Sequence, residues 1–457
     1  MNLNKIKNIH FVGIGGIGMS GIAEILMGRG MTVSGCDLKH SSATSLLAGR
    51  GVDIHIGHSA AHVAGIDALV TTAAVRGSNV EVDAARGHGV EVIRRKDLLA
   101  AIVNEKRAIG VSGTHGKTTT SAMIATVLED AGLDPTIIIG GMLRNFASNA
   151  KSGKGEMIVV EADEYDRTFH ELHPEIAVIT NIEADHLEYY GTFEEIVEAF
   201  QIFTENVRPG GAIIGCVDDP AVAALLDRRD RPQGLRTIRY GLGPDADLTA
   251  RNLTFHERGS SFDVEGAGFF KLFVPGEHNV RNALAAIAVA RELGVNHGSI
   301  ATGLAKFLGV DRRFQILGDY NGALVVDDYA HHPTEIRATL DAARSGYPGR
   351  RVVALFQPHL YSRTRDFARE FGASLCTADV ALVAPIYAAR ESPIEGISSR
   401  MISDSADGIE FLDRSHSAII NELRRRLQPD DVFIAMGAGD VHEIAEALVR
   451  GADGGGV

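Results

Sequence analysis

Residues Gly113-Thr114-His115-Gly116-Lys117-Thr118-Thr119 place three phosphate-binding devices within seven positions. Consecutive backbone N–H groups over 113–118 can cradle phosphate oxygens. The Lys117 ammonium can reach β- and γ-phosphates, and the Thr118 hydroxyl can bind Mg²⁺. The pattern departs from the strict phosphate loop G-x-x-x-x-G-K-[ST]. Val111 stands at its first glycine, and Gly113 follows two residues later. The plain structural alternative is a glycine turn with an exposed lysine. A strand expected over 108–111 and a helix after Lys117 argue against it. That helix carries an apolar stripe, Met123, Ile124, Val127, Leu128 and Ala131, and Gly132 can stop it. ATP or GTP binding is therefore expected here.

Residues 157–160 read as an apolar strand that ends in Glu161-Ala162-Asp163-Glu164. A carboxylate at the carboxyl end of a strand beside a phosphate loop is where Mg²⁺ needs a hard oxygen. Glu161 is favoured as that ligand over a merely solvated carboxylate. The next strand, 176–179, ends in Thr180-Asn181-Ile182-Glu183-Ala184-Asp185-His186. Two adjacent strands are thus expected to deliver polar groups to one edge. His186 taken alone reads as a surface histidine.

Gly13, Gly15 and Gly18 spell G-x-G-x-x-G between a strand at 9–12 and a helix at 19–27. A second strand, 32–35, ends near Asp37. Glycines allow a tight turn and close approach to a diphosphate at a helix N-terminus, and an acidic residue can bind a ribose hydroxyl. The pattern fits a nucleotide or nucleotide sugar, and read literally it suggests a dehydrogenase. The loop 71–79, after a strand at 68–70, falls at the same sheet edge. A third strand, 432–436, runs into glycines at 437–439.

Three further segments carry polar groups. Residues 276–282, containing Asn279 and Asn282, precede an apolar helix at 283–290 and on their own read as a helix cap. Arg312 and Arg313 offer guanidiniums suited to phosphate, or a surface ion pair. The strand 323–326 is expected to run into a loop 327–333, with Pro333 starting a helix. His331 and His332 are neighbours on that loop and do not imply a paired metal site. The segment 357–363 does the same for the following strand. The two loops converge if this part is a doubly wound sheet.

The chain has 457 residues, 45% hydrophobic and 23% charged, which excludes a disordered chain, a collagen or a coiled-coil rod. At about 150 residues per domain it should hold about three domains. Lys plus Arg is 45 and Asp plus Glu is 59, giving a net charge of −14 and no dense basic stripe for nucleic acid. Cys36, Cys216 and Cys376 are widely spaced, so neither a disulfide framework nor a zinc site is expected, and all three read as core thiols. Residues 1–8 lack the apolar core of a signal peptide, and no stretch of about 18 apolar residues occurs. A cytoplasmic location without membrane contact is expected, and the Gly-rich tail 451–457 is expected to fray. Strands alternate with helices throughout. The expected fold is α/β, with a Rossmann-like domain at 1–107, a central P-loop ATPase-like domain at 108–313 and a Rossmann-like domain at 314–457. No short-period repeat suggests a solenoid.

Together these segments resemble the Mur ligases of bacterial peptidoglycan synthesis. The resemblance rests on Gly-Thr-His-Gly-Lys-Thr-Thr at 113–119, Glu-Ala-Asp-Glu at 161–164 and Thr-Asn-Ile-Glu-Ala-Asp-His at 180–186. His-Asn-Val-Arg-Asn at 278–282 and Asp-Asp-Tyr-Ala-His-His-Pro at 327–333 extend it across all three parts. Residues 12–21 and 309–314 resemble the branch that adds L-alanine. The resemblance implies an ATP-dependent ligase joining L-alanine to the carboxylate of UDP-N-acetylmuramate through an acyl phosphate. It implies that Gly113, Thr114, His115, Gly116, Lys117, Thr118, Thr119, Asn279, Asn282, Arg313 and Asp328 face ATP. Thr118 and Glu161 would bind one Mg²⁺, and His186 with Glu161 a second. Gly15, Gly16, Gly18, Ser20 and Asp37, with Thr72, Ala73 and Asn79, would face the UDP sugar. Tyr329, His331, His359 and Arg363 would surround the alanine and the acyl phosphate, and Lys117, Glu161, His186 and His331 would be catalytic. Oligomerisation would stop at a monomer or weak dimer.

Two departures stand out. Some relatives carry arginine where this chain has Leu360. Sister ligases hold a second Mg²⁺ through a carbamylated lysine, but no lysine lies between Lys154 and Lys271 here. Three alternatives remain. A sister ligase that recycles whole peptides shares the chemistry and differs in the amine pocket. An NAD-dependent dehydrogenase leaves Lys117 and Glu161 unexplained. A non-catalytic nucleotide-binding regulator would show no amine-dependent phosphate release.

Overall fold

The computed structural model describes the chain except residues 1–2, 73–74, 76–77, 229–233 and 454–457. One compact unit comprises Met1–Arg251, Val264–Gly268 and Arg281–Phe307. The other comprises Asn252–Asp263, Phe269–Val280 and Leu308–Val457. The architecture is α/β with mainly parallel sheets, as expected.

The first unit opens with strands β1 (Asn8–Val12), β2 (Thr32–Asp37), β3 (Asp53–Ile56), β4 (Ala68–Thr71) and β5 (Glu91–Arg94). They lie in the order β3-β2-β1-β4-β5, all parallel. The strand order reverses between β1 and β4, so the glycine turn after β1 occupies the crevice where such sheets take ligands. Helix α1 (Ile17–Gly28) follows that turn, with Gly16 at its N-cap. The other helices here are α2 (Ser42–Gly49), α3 (Val80–Gly87) and α4 (Arg95–Asn104). Ser41 and Thr44 cap α2 reciprocally, and the Asn79 side chain accepts the Glu81 and Val82 amides at the start of α3. Each such cap typically contributes about 1 kcal/mol.

The same unit continues with β6 (Arg107–Ser112), β7 (Thr136–Leu143), β8 (Ser148–Lys151), β9 (Met157–Glu161), β10 (Ile176–Ile179), β11 (Ala212–Cys216) and β12 (Arg236–Gly241). Their order is β8-β7-β9-β6-β10-β11-β12, and only β8 runs antiparallel to its neighbour. The strands leading to Glu161 and Thr180, expected from the sequence to be adjacent, are therefore not neighbours. β6 lies between them, pairing Val111 with Glu161 and Ser112 with Ile179. The phosphate loop therefore leaves β6 with one polar cluster on each side. The strands read as continuous apolar runs because helices cover both faces. Helix α5 (Lys117–Asp130) ends at Ala131, and Gly132 follows with φ 76°.

The second unit holds a sheet of β16 (Gln315–Tyr320), β17 (Ala323–Asp328), β18 (Val352–Phe356), β19 (Val380–Val383), β20 (Ile409–Phe411) and β21 (Val432–Met436). Before it the chain forms β13 (Leu248–His256), β14 (Gly259–Val264) and β15 (Gly268–Leu272). The order β16-β17-β21-β18-β19-β20 places β21 between β17 and β18. Asp327 and Asp328 are not in a loop. They end β17, opposite Ala435 and Met436. Pro333 opens the helix Pro333–Gly346 at its first position. Residues 451–453 fall within the helix His442–Asp453, and the rest of the tail lies outside the described residues. Cys36 and Cys216 are buried, but Cys376 is exposed, so it is not a core thiol. Among the described residues no helix is long and apolar enough to cross a membrane.

Candidate active site

The turn from β6 into α5 is built on two glycines with positive φ. Gly113 has φ 142°, and a Cβ there would fall 1.9 Å from the Thr180 hydroxyl and 3.1 Å from the Asn181 backbone. Gly116 has φ 82° at the N-cap of α5, and its Cβ would fall 2.9 Å from Asn282 Oδ1. Residues after β10 clamp the loop from one side. Asn181 Oδ1 accepts the His115 amide at 2.8 Å, and Asn181 Nδ2 donates to the His115 carbonyl at 3.0 Å. The Thr114 hydroxyl accepts the Glu183 amide at 2.8 Å. Asn282 joins the cluster by accepting the Thr120 hydroxyl at 3.0 Å. The loop is thus held open for a ligand before any ligand arrives.

Lys117 is almost enclosed, and its ammonium lies 2.7 Å from a Glu164 carboxylate oxygen. Burial pulls the lysine pKa down, but the carboxylates of Glu164, Asp163 and Glu161 outweigh it and raise the pKa above the usual lysine value. Lys117 therefore carries a full positive charge at the loop. Glu164 is fixed from behind, because the buried Tyr190 hydroxyl donates to its carbonyl at 2.5 Å. The turn Tyr165–Glu171 that follows is anchored by Phe169, which packs on Phe200 and Phe203 of the helix Phe193–Glu205. All three rings are fully buried, each contributing about 1.5–3 kcal/mol.

Glu161 ends β9 beside the loop. Its Oε2 accepts the Thr118 hydroxyl at 2.9 Å and the Gly140 amide at 2.8 Å. A hydroxyl and a carboxylate in contact, next to a phosphate cradle, form the hard-oxygen donor set that Mg²⁺ takes. His186 adopts φ 55° before the short helix Leu187–Tyr190, its ring edge-on to Tyr165 at 5.1 Å.

At the first glycine turn, Asp37 does something the sequence reading did not foresee. Its Oδ2 accepts the Gly15 amide at 2.8 Å, so the carboxylate shapes the loop itself. Gly13 has φ 78°, and Gly18 lies against Arg95, whose Nη1 would meet a Cβ at 2.9 Å. Ser20 is buried in α1 and donates to the Ile17 carbonyl. Thr72 lies beside Gly13. Asn79 is committed to capping α3. Ala73 lies outside the described residues.

In the second unit the loops after β17 and β18 converge, as a doubly wound sheet requires. The rings of His331 and His359 are 6.2 Å apart, and His359 stacks on Tyr387. Burial lowers both histidines to a pKa of about 4, with the Arg363 charge adding to the effect on each. Both are neutral near pH 7. Asp328 is buried, which raises its pKa to about 6, and it accepts the Phe314 and Ala330 amides at 2.7 Å each. Arg312 and Arg313 both lie over the Tyr329 ring, at 5.0 and 5.2 Å. Arg312 also donates to the Gly437 and Gly439 carbonyls, which tie the third glycine turn to this loop. Asn279, buried, donates to the Pro275 carbonyl. Leu360 sits buried at φ 71°, ahead of the helix Tyr361–Leu375.

Sequence reasoning placed Lys117, Thr118 and Glu161 together, and they are together. It gave no role to Glu164, Asn181 or Gly140. The first two were visible only as polar residues just past strand ends, and Gly140 carried no signal at all.

Family models match in chain order. Residues 8–107 match the Mur ligase family catalytic domain, 111–290 the Mur ligase middle domain and 312–439 the Mur ligase glutamate ligase domain. The UDP-N-acetylmuramate–L-alanine ligase of Salinibacter ruber is 44% identical, covering 98% of this chain and 95% of its own. That of Geobacter sulfurreducens is 45% identical, covering 97% of each. Among solved structures, the UDP-N-acetylmuramate-alanine ligase of Thermotoga maritima superposes with a TM-score of 0.81 at 31% identity, covering 98% of this chain and 99% of its own. A murein peptide ligase of Psychrobacter arcticus gives 0.71 at 26% identity, covering 98% and 99%. Matched by family models across most of its length, with a built phosphate loop and a carboxylate beside it, the chain belongs to the Mur ligase family.

Proposed function

We propose that this chain is an ATP-dependent ligase that joins L-alanine to the carboxylate of UDP-N-acetylmuramate. The observation that carries the reading is the Lys117–Glu164–Glu161–Thr118 cluster on a preformed phosphate loop, in a chain about 45% identical to L-alanine ligases along its length. In this reading residues 1–107 hold the UDP sugar, 108–313 hold ATP and 314–457 hold the amino acid.

The muramyl carboxylate attacks the γ-phosphorus of ATP, and ADP leaves. An acyl phosphate results. The L-alanine amine then attacks the acyl carbon, loses a proton and expels phosphate, forming the amide. Two anions must meet in the first step, so neutralising charge is the main task. Lys117 supplies a fixed positive charge there, and the loop amides of 113–118 orient the phosphates. Thr118 and Glu161 would hold Mg²⁺, which when bound polarises the phosphate oxygens. His186 is proposed at a second metal position. Asn279, Asn282, Arg313 and Asp328 are proposed to contact ATP. Gly15, Gly16, Gly18, Ser20, Asp37, Thr72, Ala73 and Asn79 are proposed to line the sugar nucleotide. Tyr329, His331, His359 and Arg363 are proposed around the amine. A cytoplasmic, monomeric or weakly dimeric enzyme fits this reading.

The test is phosphate release from ATP and Mg²⁺ with UDP-N-acetylmuramate, with and without L-alanine, using Lys117→Ala as control. Release that needs both substrates and vanishes in the variant supports the reading. Release only with a muramyl-peptide amine moves it to peptide recycling. No release with any amine, alongside nucleotide binding, overturns it.

A further inference from the structure

Away from the phosphate loop, the first sheet carries a cluster of buried ligating side chains with no part in the proposed reaction. His10 lies on β1, Cys36 on β2, His62 in the turn Ala60–Val63 and Glu81 at the start of α3. One donor atom from each lies within 4.8 Å of all the others. His10, Cys36 and Glu81 are fully buried, and the His62 side chain is 15% exposed. A tetrahedral zinc with Zn–N and Zn–O near 2.1 Å and Zn–S near 2.3 Å separates its ligands by about 3.3–3.8 Å. The Glu81 carboxylate already sits 3.8 Å from His10 Nε2 and 2.9 Å from Cys36 Sγ.

Three observations separate this from an ordinary hydrogen-bonded core. His10 Nε2 is buried without a hydrogen-bond partner, and it faces the carboxylate. An orphaned imidazole nitrogen in a core is destabilising, and a metal ion would satisfy it. The other ring nitrogen, Nδ1, bonds the Ser34 hydroxyl at 2.8 Å, which fixes the ring as outer partners of metal-bound histidines do. Strand pairing sets this up, because His10 lies opposite Ser34 and Cys36 lies two residues further along β2, on the same face. Glu81 is likewise oriented from outside, its Oε1 accepting the Ser59 amide at 3.0 Å. His55 stacks on His62 with centroids 4.1 Å apart, and its side chain is 34% exposed. His58, 27% exposed at its side chain, lies 3.3 Å from Cys36 Sγ, so imidazoles line a path from solvent to the cluster.

We propose that His10, Cys36, His62 and Glu81 form a structural site for a divalent transition metal of the zinc class. One thiolate and one carboxylate balance the charge of the ion. Binding forms a metal–sulfur bond and releases the Cys36 thiol proton to solvent. The site ties together β1, β2, the turn at 60–63 and α3, four segments distant in sequence. It is separate from the proposed Mg²⁺ positions, none of which has a sulfur donor.

The full-length chain, stripped with chelator and titrated with Co²⁺, tests this. The expected result is one equivalent of cobalt bound with a near-ultraviolet thiolate-to-cobalt charge-transfer band, and a melting temperature that rises with Zn²⁺ and falls back with chelator. Cobalt at Thr118 and Glu161 gives no such band, because no sulfur is present there. Cys36→Ser should abolish the band. Ser34→Ala, which leaves every ligand in place, should weaken cobalt binding about 10- to 100-fold. Should Cys36→Ser fail to fold, Ser34→Ala alone carries the test. Absence of the band, its survival in Cys36→Ser, or unchanged affinity in Ser34→Ala would each overturn the proposal.

Discussion

Replacing Lys117 with methionine should damage stability and catalysis by separable routes. The ammonium and the Glu164 carboxylate are 2.7 Å apart, with side chains 12% and 5% exposed. At an effective dielectric of about 20 their attraction is about 6 kcal/mol, set against the cost of desolvating both. Lys117→Met leaves Glu164 buried without its partner, and removing one partner of a buried pair typically costs about 3–5 kcal/mol. Removing both charges leaves no such orphan. Lys117→Met/Glu164→Leu should therefore lie within about 1 kcal/mol of the wild type. The chain has no tryptophan, so urea unfolding would be followed by far-ultraviolet circular dichroism. Phosphate release, measured in parallel, should be absent in both variants, because the positive charge at the loop is gone in each. A double variant as unstable as Lys117→Met would refute the ion pair. Phosphate release near the wild-type rate in either would refute the role given to Lys117.

Gly113→Ala meets Thr180 at 1.9 Å in a backbone conformation side chains avoid, so it should cost about 2–4 kcal/mol in unfolding experiments and impair ATP binding. Glu161→Gln should lower kcat about 100-fold and raise the Mg²⁺ concentration needed for half-maximal rate, as read from a magnesium titration. His331 and His359 titrate near 4 when folded against an ordinary 6.5, so the unfolded chain binds more protons between those values. Their contribution holds above about pH 6.5 and is lost as pH falls through 4, by up to about 1.4 kcal/mol per pH unit each. Asp328, raised from 3.8 to about 6, acts oppositely, so stability from this group falls as pH rises through that window. Imidazole resonances titrating near pH 6.5 instead would refute the burial assigned to the two histidines.

Much of this molecule was legible in residue order. The glycine turns at 13–18 and 113–117 fall where strand, turn and helix follow one another, and their chemistry is local. Lys117 and Thr118 must sit at a helix start because the helix begins there. Glu161 could be placed at the same edge because parallel strands all end on one side. What the residue order leaves open is which strands are neighbours. β6 lies between β9 and β10, and β21 returns from the sheet edge to lie between β17 and β18. Hence the clamp of Asn181 on His115, and the place of Asp327 and Asp328 within a strand, could not be read. Leu360 illustrates the same limit, since its positive φ follows from the turn it occupies and not from its type.

The histidines, cysteine and glutamate around Glu81 make the contrast plainest. Positions 10, 36, 62 and 81 share no motif, and a lone cysteine far from any other argued against a metal. Sequence by itself determined the local devices, the glycine loops with their lysine, hydroxyl and carboxylate, because spacing along a strand or helix fixes geometry over a few residues. Only the tertiary structure decided which distant groups share one low-dielectric space, because burial and partnership are set by the packing of segments and not by their separation along the chain.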